Sequence, residues 1–148
     1  MTIFEVADWF LHKKSMTHKQ IQKLCYYAQA WHLALLNQPL FEEEMQAWIH
    51  GPVCPQLYQK YHGYGWQEIE KRSGKSPDFP KKTLQVLNSV YDTYGKLDGA
   101  QLEALTHSEM PWQKARGGLS PLEPSTEAIK HKDMREYYVK AYEAAQGD

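Results

Sequence analysis

The run from Met16 to Leu36 constrains the fold more than any other stretch of the chain. Thr17 is a favourable N-cap, Gln20 stands three residues on to close a capping box, and Met16 can reach Ile21 as a hydrophobic staple. At about 100° per residue, Ile21, Leu24, Tyr27, Ala28, Trp31, His32 and Leu35 share one broad side, while Tyr26, Ala30 and Leu33 line much of another. Such a helix is too apolar to lie on a surface. The pattern therefore predicts a buried central helix over about residues 17–37, stopped by Asn37 and Pro39, with Lys19, Gln22, Lys23 and Gln29 near the wet sector.

A chain of 148 residues with 42% hydrophobic content can bury a core of its own, and the whole span 1–148 is expected to be one domain. The 17 basic and 18 acidic residues leave a net charge of -1, which supplies no electrostatic reason to bind nucleic acid. Cys25 falls inside the central helix and Cys54 in a Pro-flanked turn. Two such cysteines are no disulfide framework, so reduced thiols and a cytoplasmic location are expected. No signal peptide is recognisable, and no apolar run approaches the length of a membrane span. Five Trp and ten Tyr are many for a domain of this size, and such side chains suit a partner interface as well as a core.

The remaining chain reads as short, individually capped elements. Thr2 and Glu5 form a capping box for a helix over residues 2–13, and Asp98 with Gln101 does the same for one running to about His107. Met45, Ala47 and Ile49 alternate with Gln46, Trp48 and His50 as in a short strand broken at Gly51 and Pro52. Pro55 can open a helix carrying Leu57, Tyr58 and Tyr61, and Leu84, Leu87, Val90, Tyr91 and Tyr94 share a helical face. Lys71–Lys82 reads as an exposed, mobile loop. Asp133 and Glu136 are expected to cap a last helix with a stripe of Met134, Tyr137, Tyr138, Ala141, Tyr142 and Ala145. The fold class is mainly α, a compact multi-helix domain with at most one short strand pair.

Catalytic chemistry finds little footing. The seven histidines include no HExxH pair, no Gly-rich phosphate loop follows a strand, and no GxSxG elbow is present, so no metal, cofactor or catalytic set is expected. His12, His18, His62 and His131 read as exposed polar residues, and His32 as a hydrogen-bonded structural histidine. An enzyme built on Cys25, His107 or Glu109 lacks any recognisable spacing. Two segments stand apart: the run Ala47–Val53 with Trp48, His50, Gly51 and Pro52, where Gly and Pro fix a turn beside large side chains, and the group Thr106 to Trp112, whose Thr and Ser can simply cap helix ends. The simplest reading of the first is structural, with Trp48 and Val53 packed on the central helix while Gly51 and Pro52 turn the chain, and both segments can still border an interface.

Three segments in order resemble the Panacea antitoxin family, also called SocA-like, of prokaryotic and phage genomes. They are Gln22-Lys23-Leu24 with Tyr26-Tyr27-Ala28-Gln29-Ala30-Trp31-His32, then Phe41-Glu42 and Ala47-Trp48 with Gly51-Pro52-Val53-Cys54-Pro55 and Tyr58, and last Thr106-His107 with Pro111-Trp112. The likeness extends over roughly residues 1–140. It implies a mostly helical single domain whose motif core includes Leu24, Tyr27, Ala28 and Trp31. It also implies an antitoxin with no catalytic role, which binds a cognate protein toxin; delivery of the toxin to a Clp-type protease is the alternative mechanism in the family. On this reading the partner-binding candidates are Trp48, Gly51, Pro52, Val53, Tyr58, His107, Pro111 and Trp112, with Trp48, Tyr58 and Trp112 as aromatic anchors. Neither nucleic acid nor membrane is an expected partner.

Overall fold

A computed structural model describes residues 1–147. In chain order the elements are α1 (Ile3–Leu11), α2 (His18–Leu36), β1 (Gln46–Trp48), β2 (Gly51–Val53), α3 (Pro55–Tyr61), a 3-10 turn (His62–Tyr64), α4 (Lys81–Tyr94), α5 (Gly99–His107), α6 (Met110–Arg116) and α7 (His131–Gln146). The described residues are mainly α, with one antiparallel strand pair.

The central helix is α2. Its capping box forms as expected, with Gln20 N donating to Thr17 Oγ1 at 3.2 Å and Thr17 N to Gln20 Oε1 at 3.0 Å. Asn37 ends the helix in the left-handed conformation at φ 57°. Helices α1, α3, α4, α5 and α7 and strand β2 all pack on it. Capping boxes also start α1 at Thr2 and α5 at Asp98.

Burial corrects one part of the helical-wheel reading. Gln22, Lys23 and Gln29, placed near the wet sector, are all buried in α2. Each is drawn in by main-chain atoms of a neighbouring segment, because a polar side chain with a backbone partner loses little on leaving water. Gln29 Nε2 donates to Phe41 O at 2.8 Å, and its Oε1 accepts from Leu40 N at 2.7 Å, which fastens the chain just after the helix. His32 is the structural histidine expected, with Nδ1 2.6 Å from Gln38 O and Nε2 3.0 Å from Thr83 Oγ1.

Four further expectations change. The last helix begins at His131 rather than at an Asp133 cap, since Asp133 is buried against Lys114 Nζ at 2.9 Å. Only the first part of its stripe reaches the core: Met134 and Tyr138 are buried, whereas Ala141, Tyr142 and Ala145 are exposed. The start of the 71–82 loop is tied down, with Lys71 N bonded to Ser15 Oγ and Arg72 N to Leu11 O, each at 2.9 Å. His12 and His18 are half-buried rather than exposed.

Candidate functional site

The β1–β2 hairpin sits on α2 through backbone contacts. Its register pairs Gln46 with Val53, Ala47 with Pro52 and Trp48 with Gly51. Gly51 has φ +107°, and a Cβ there would lie 2.6 Å from Lys23 Cε and 3.0 Å from Thr106 Oγ1, so only glycine lets the turn close onto the helix. Beneath it, Lys23 is 1% exposed and donates from Nζ to Pro52 O at 3.2 Å. Burial, followed by the charge of Lys19, lowers its pKa from 10.5 to about 7 against the opposing pull of Glu103. Gln22 then grips Cys54 from both sides, with Nε2 3.1 Å from Cys54 O and Oε1 2.9 Å from Cys54 N. Cys54 is thereby placed as the N-cap of α3, with Pro55 at its first turn.

The corner between α5 and α6 meets this hairpin directly. Trp112 Nε1 donates to Trp48 O at 2.8 Å, although 64 residues separate the two in sequence. The His107 ring stacks on Trp112 at 3.9 Å between centroids, and the buried Arg116 guanidinium lies 4.9 Å from the same indole. Arg116 also donates to Ala47 O at 3.2 Å and to Ser120 O at 2.9 Å, holding the loop after α6 against β1.

Outside this contact runs a strip of rings. Trp48 packs edge-on to Tyr58 at 5.0 Å, Tyr58 stacks on His62 at 4.9 Å, and His18 meets Tyr58 at 5.9 Å. The eight candidate residues thus divide in two. Gly51, Pro52, Val53, Pro111 and Trp112 are buried and build the support, whereas Trp48, Tyr58 and His107 are half-buried and present part of their surface. Exposed His50 joins the rim, with Nδ1 3.2 Å from Glu103 Oε1, which also binds Lys19 Nζ at 2.5 Å. Burial lowers the pKa of His107, and burial followed by Lys23, His62 and Lys19 lowers that of His18.

The motif residues of α2 serve a second, interior cluster. Tyr27 and Tyr138 hydroxyls donate to Glu109 Oε1 at 2.7 and 2.8 Å, and Tyr27 stacks on Tyr94 at 3.9 Å. Trp31 Nε1 donates to Tyr94 OH at 2.9 Å, while Leu24 and Ala28 are buried in the core. Burial raises the Glu109 carboxyl above its ordinary range despite both phenol donors. Burial also raises the thiols of Cys25 and Cys54, the reverse of what activates a nucleophile. Glu109 and Tyr27 act here as a polar core joining α2, α6 and α7.

Sequence reasoning missed Lys23 and Arg116 as interior cations and Trp66 as a surface residue. Trp66 is 87% exposed, just after the 3-10 turn, and the two glycines at 63 and 65 were its only local sign. Among the described residues no group of three or more His, Cys, Asp or Glu is arranged to hold a metal, and no helix is long and apolar enough to cross a membrane.

The family model described as Antitoxin SocA-like, Panacea domain, matches residues 21–113. That span runs from α2 into α6 and includes the hairpin, the ring strip and Trp112. The chain is also similar to Antitoxin SocA of Caulobacter vibrioides (strain NA1000 / CB15N), with 29% identity over 130 residues, covering 76% of this chain and 69% of that protein. No solved structure matches.

Proposed function

The chain belongs to the SocA-like Panacea antitoxin family, and from that premise we propose that it neutralises a protein toxin by binding it directly through the ring strip on the hairpin. The observation carrying this reading is the run of ring contacts from Trp48 through Tyr58 to His62, beside a hairpin backbone held by Gln22, Lys23 and Trp112, with His107 stacked on that same Trp112. Rigidly mounted aromatic rings lose little conformational entropy on association and dominate many interfaces. A standard interface buries about 800 Å² on each partner, and Trp48 and Tyr58 are its anchors in this proposal.

The protein acts as a binding module in this reading, with no catalytic role. Its deeply seated thiols and phenol-bound carboxylate contribute to the fold. The test is co-expression with the product of the neighbouring gene. Growth is restored by the wild-type chain and lost again when Trp48 and Tyr58 are both replaced by Ala in a protein that keeps its helical circular dichroism. A neighbouring product that is harmless alone, or one that stays toxic beside the wild-type chain, refutes neutralisation. Toxin abundance separates the two family mechanisms. Unchanged abundance supports direct binding, whereas a fall reversed by deleting a Clp-type protease assigns delivery to proteolysis instead.

A further inference from the structure

The connection between α3 and α4 is fastened to the end of α1 at a distinct set of residues. Ile69 pairs with Met16 as an isolated bridge, and the backbone amides of Lys71 and Arg72 bind Ser15 and Leu11. These bonds bring Lys71 and Arg72 beside His12 and Lys13, just beyond α1, around a cavity of about 360 Å³ also lined by Ser73 and Ser76. Trp9 is its apolar wall, and Gly74, at φ +82°, turns its rim. At roughly 30 Å³ per water, the space exceeds what a single small ion fills.

Two observations give this cavity a chemical preference. Lys13, Lys71 and Arg72 concentrate three positive charges in a chain whose net charge is -1, and Asp8 is the carboxylate paired with them, 3.3 Å from Arg72 Nε. The Arg72 guanidinium is set in position by Asp8 and by Tyr61 OH at 3.4 Å, leaving its remaining donors for a ligand. His12, anchored by Nδ1 donating to Asp8 O at 2.8 Å, completes the wall beside them.

We propose that this cavity binds a compact phosphoryl-bearing polyanion, such as the diphosphate part of a small phosphorylated metabolite. Lysine ammonium groups and an arginine fork match multiply charged phosphoryl oxygens, and the serine hydroxyls 73 and 76 add neutral donors at the rim. A single carboxylate carries too little charge to balance the three cations. A nucleic-acid strand is a poorer fit, because backbone binding draws on an extended basic track and here the cations converge on one basin.

The probe is inorganic pyrophosphate, titrated into the full chain at constant ionic strength and followed by the amide resonances of Lys71, Arg72 and Gly74 together with calorimetry. The expected result is saturable binding with shifts centred on those residues. Affinity falls on the order of tenfold or more in the Lys13→Ala, Lys71→Ala double variant and is unchanged in Lys132→Ala. All three lysines are exposed, so the variants keep the fold, which the same spectra check. Shifts spread over surface lysines, absence of saturation, or equal affinity in the double variant overturns the proposal. A short single-stranded oligonucleotide is the second arm. Binding tighter than pyrophosphate, with steep salt dependence, assigns the cavity to nucleic acid and overturns the compact-ligand reading.

Discussion

Replacing Lys23 by Met tests how completely the hairpin seals the central helix. In the unfolded chain this lysine holds its proton up to about 10.5, but in the folded chain only up to about 7. Between those values the unfolded state binds the extra proton, so stability rises with pH by about 1.4 kcal/mol per unit, or about 5 kcal/mol across the whole window. Below about 7 both states are charged, and the contribution levels off at its least favourable value. Met keeps an unbranched stem of similar length and removes the ammonium. Urea unfolding at steps from pH 6 to 9.5 gives both stabilities, and the wild-type value minus the Lys23→Met value isolates this one group, since the other titrating groups are common to both proteins. The difference is flat near pH 6 and climbs toward a slope of about 1.4 kcal/mol per unit above pH 8. A difference that stays flat to pH 9.5 shows that the Lys23 ammonium remains hydrated in the folded protein, and the account of the hairpin closing over it is then wrong.

Gly51→Ala places a methyl group 2.6 Å from Lys23 Cε at φ +107°, and is expected to cost about 2–4 kcal/mol by urea denaturation; a loss under about 0.5 shows that the turn shifts freely. Glu109→Gln keeps an acceptor for Tyr27 and Tyr138 while removing a carboxyl whose folded pKa is raised. In the wild type that carboxyl lowers stability as pH climbs through and above its ordinary 4.5, so the Gln variant is the more stable at pH 7 and loses that advantage near pH 4; equal stability differences at both pH values refute this. Trp48→Ala and Tyr58→Ala each weaken toxin binding on the order of tenfold or more by calorimetry, and full affinity in both variants removes the ring strip as the interface.

The elements were legible where their signals are local. Thr2 with Glu5, Thr17 with Gln20 and Asp98 with Gln101 each form the capping box that their three-residue spacing announces, because both halves of that device lie within one turn. The partners of Gln22, Lys23 and Gln29 lie 11 to 32 positions away, and a helical wheel equates polarity with water. Asp133 misled for the same reason: a distant lysine, rather than its own helix terminus, claims its carboxylate. Within the candidate surface, the glycine and proline at 51 and 52 marked the turn and the tryptophans marked bulk. Nothing local says that Trp112 reaches the Trp48 carbonyl, so which residues would face outward was unreadable.

The two glutamines of the central helix hold their neighbours by main-chain amide and carbonyl groups at Leu40, Phe41 and Cys54. Such a grip is blind to which side chain its partner carries. The hairpin is therefore mounted on atoms that every residue but proline possesses, while its outer positions answer to separate demands. Substitutions at Trp48 or His50 alter the outer face without touching the mount, whereas a change at Gln22 removes both of its bonds to Cys54 and leaves the outer side chains chemically intact. Side-chain identity on the outer face and the seating of the hairpin on the helix are thereby set by separate groups of atoms.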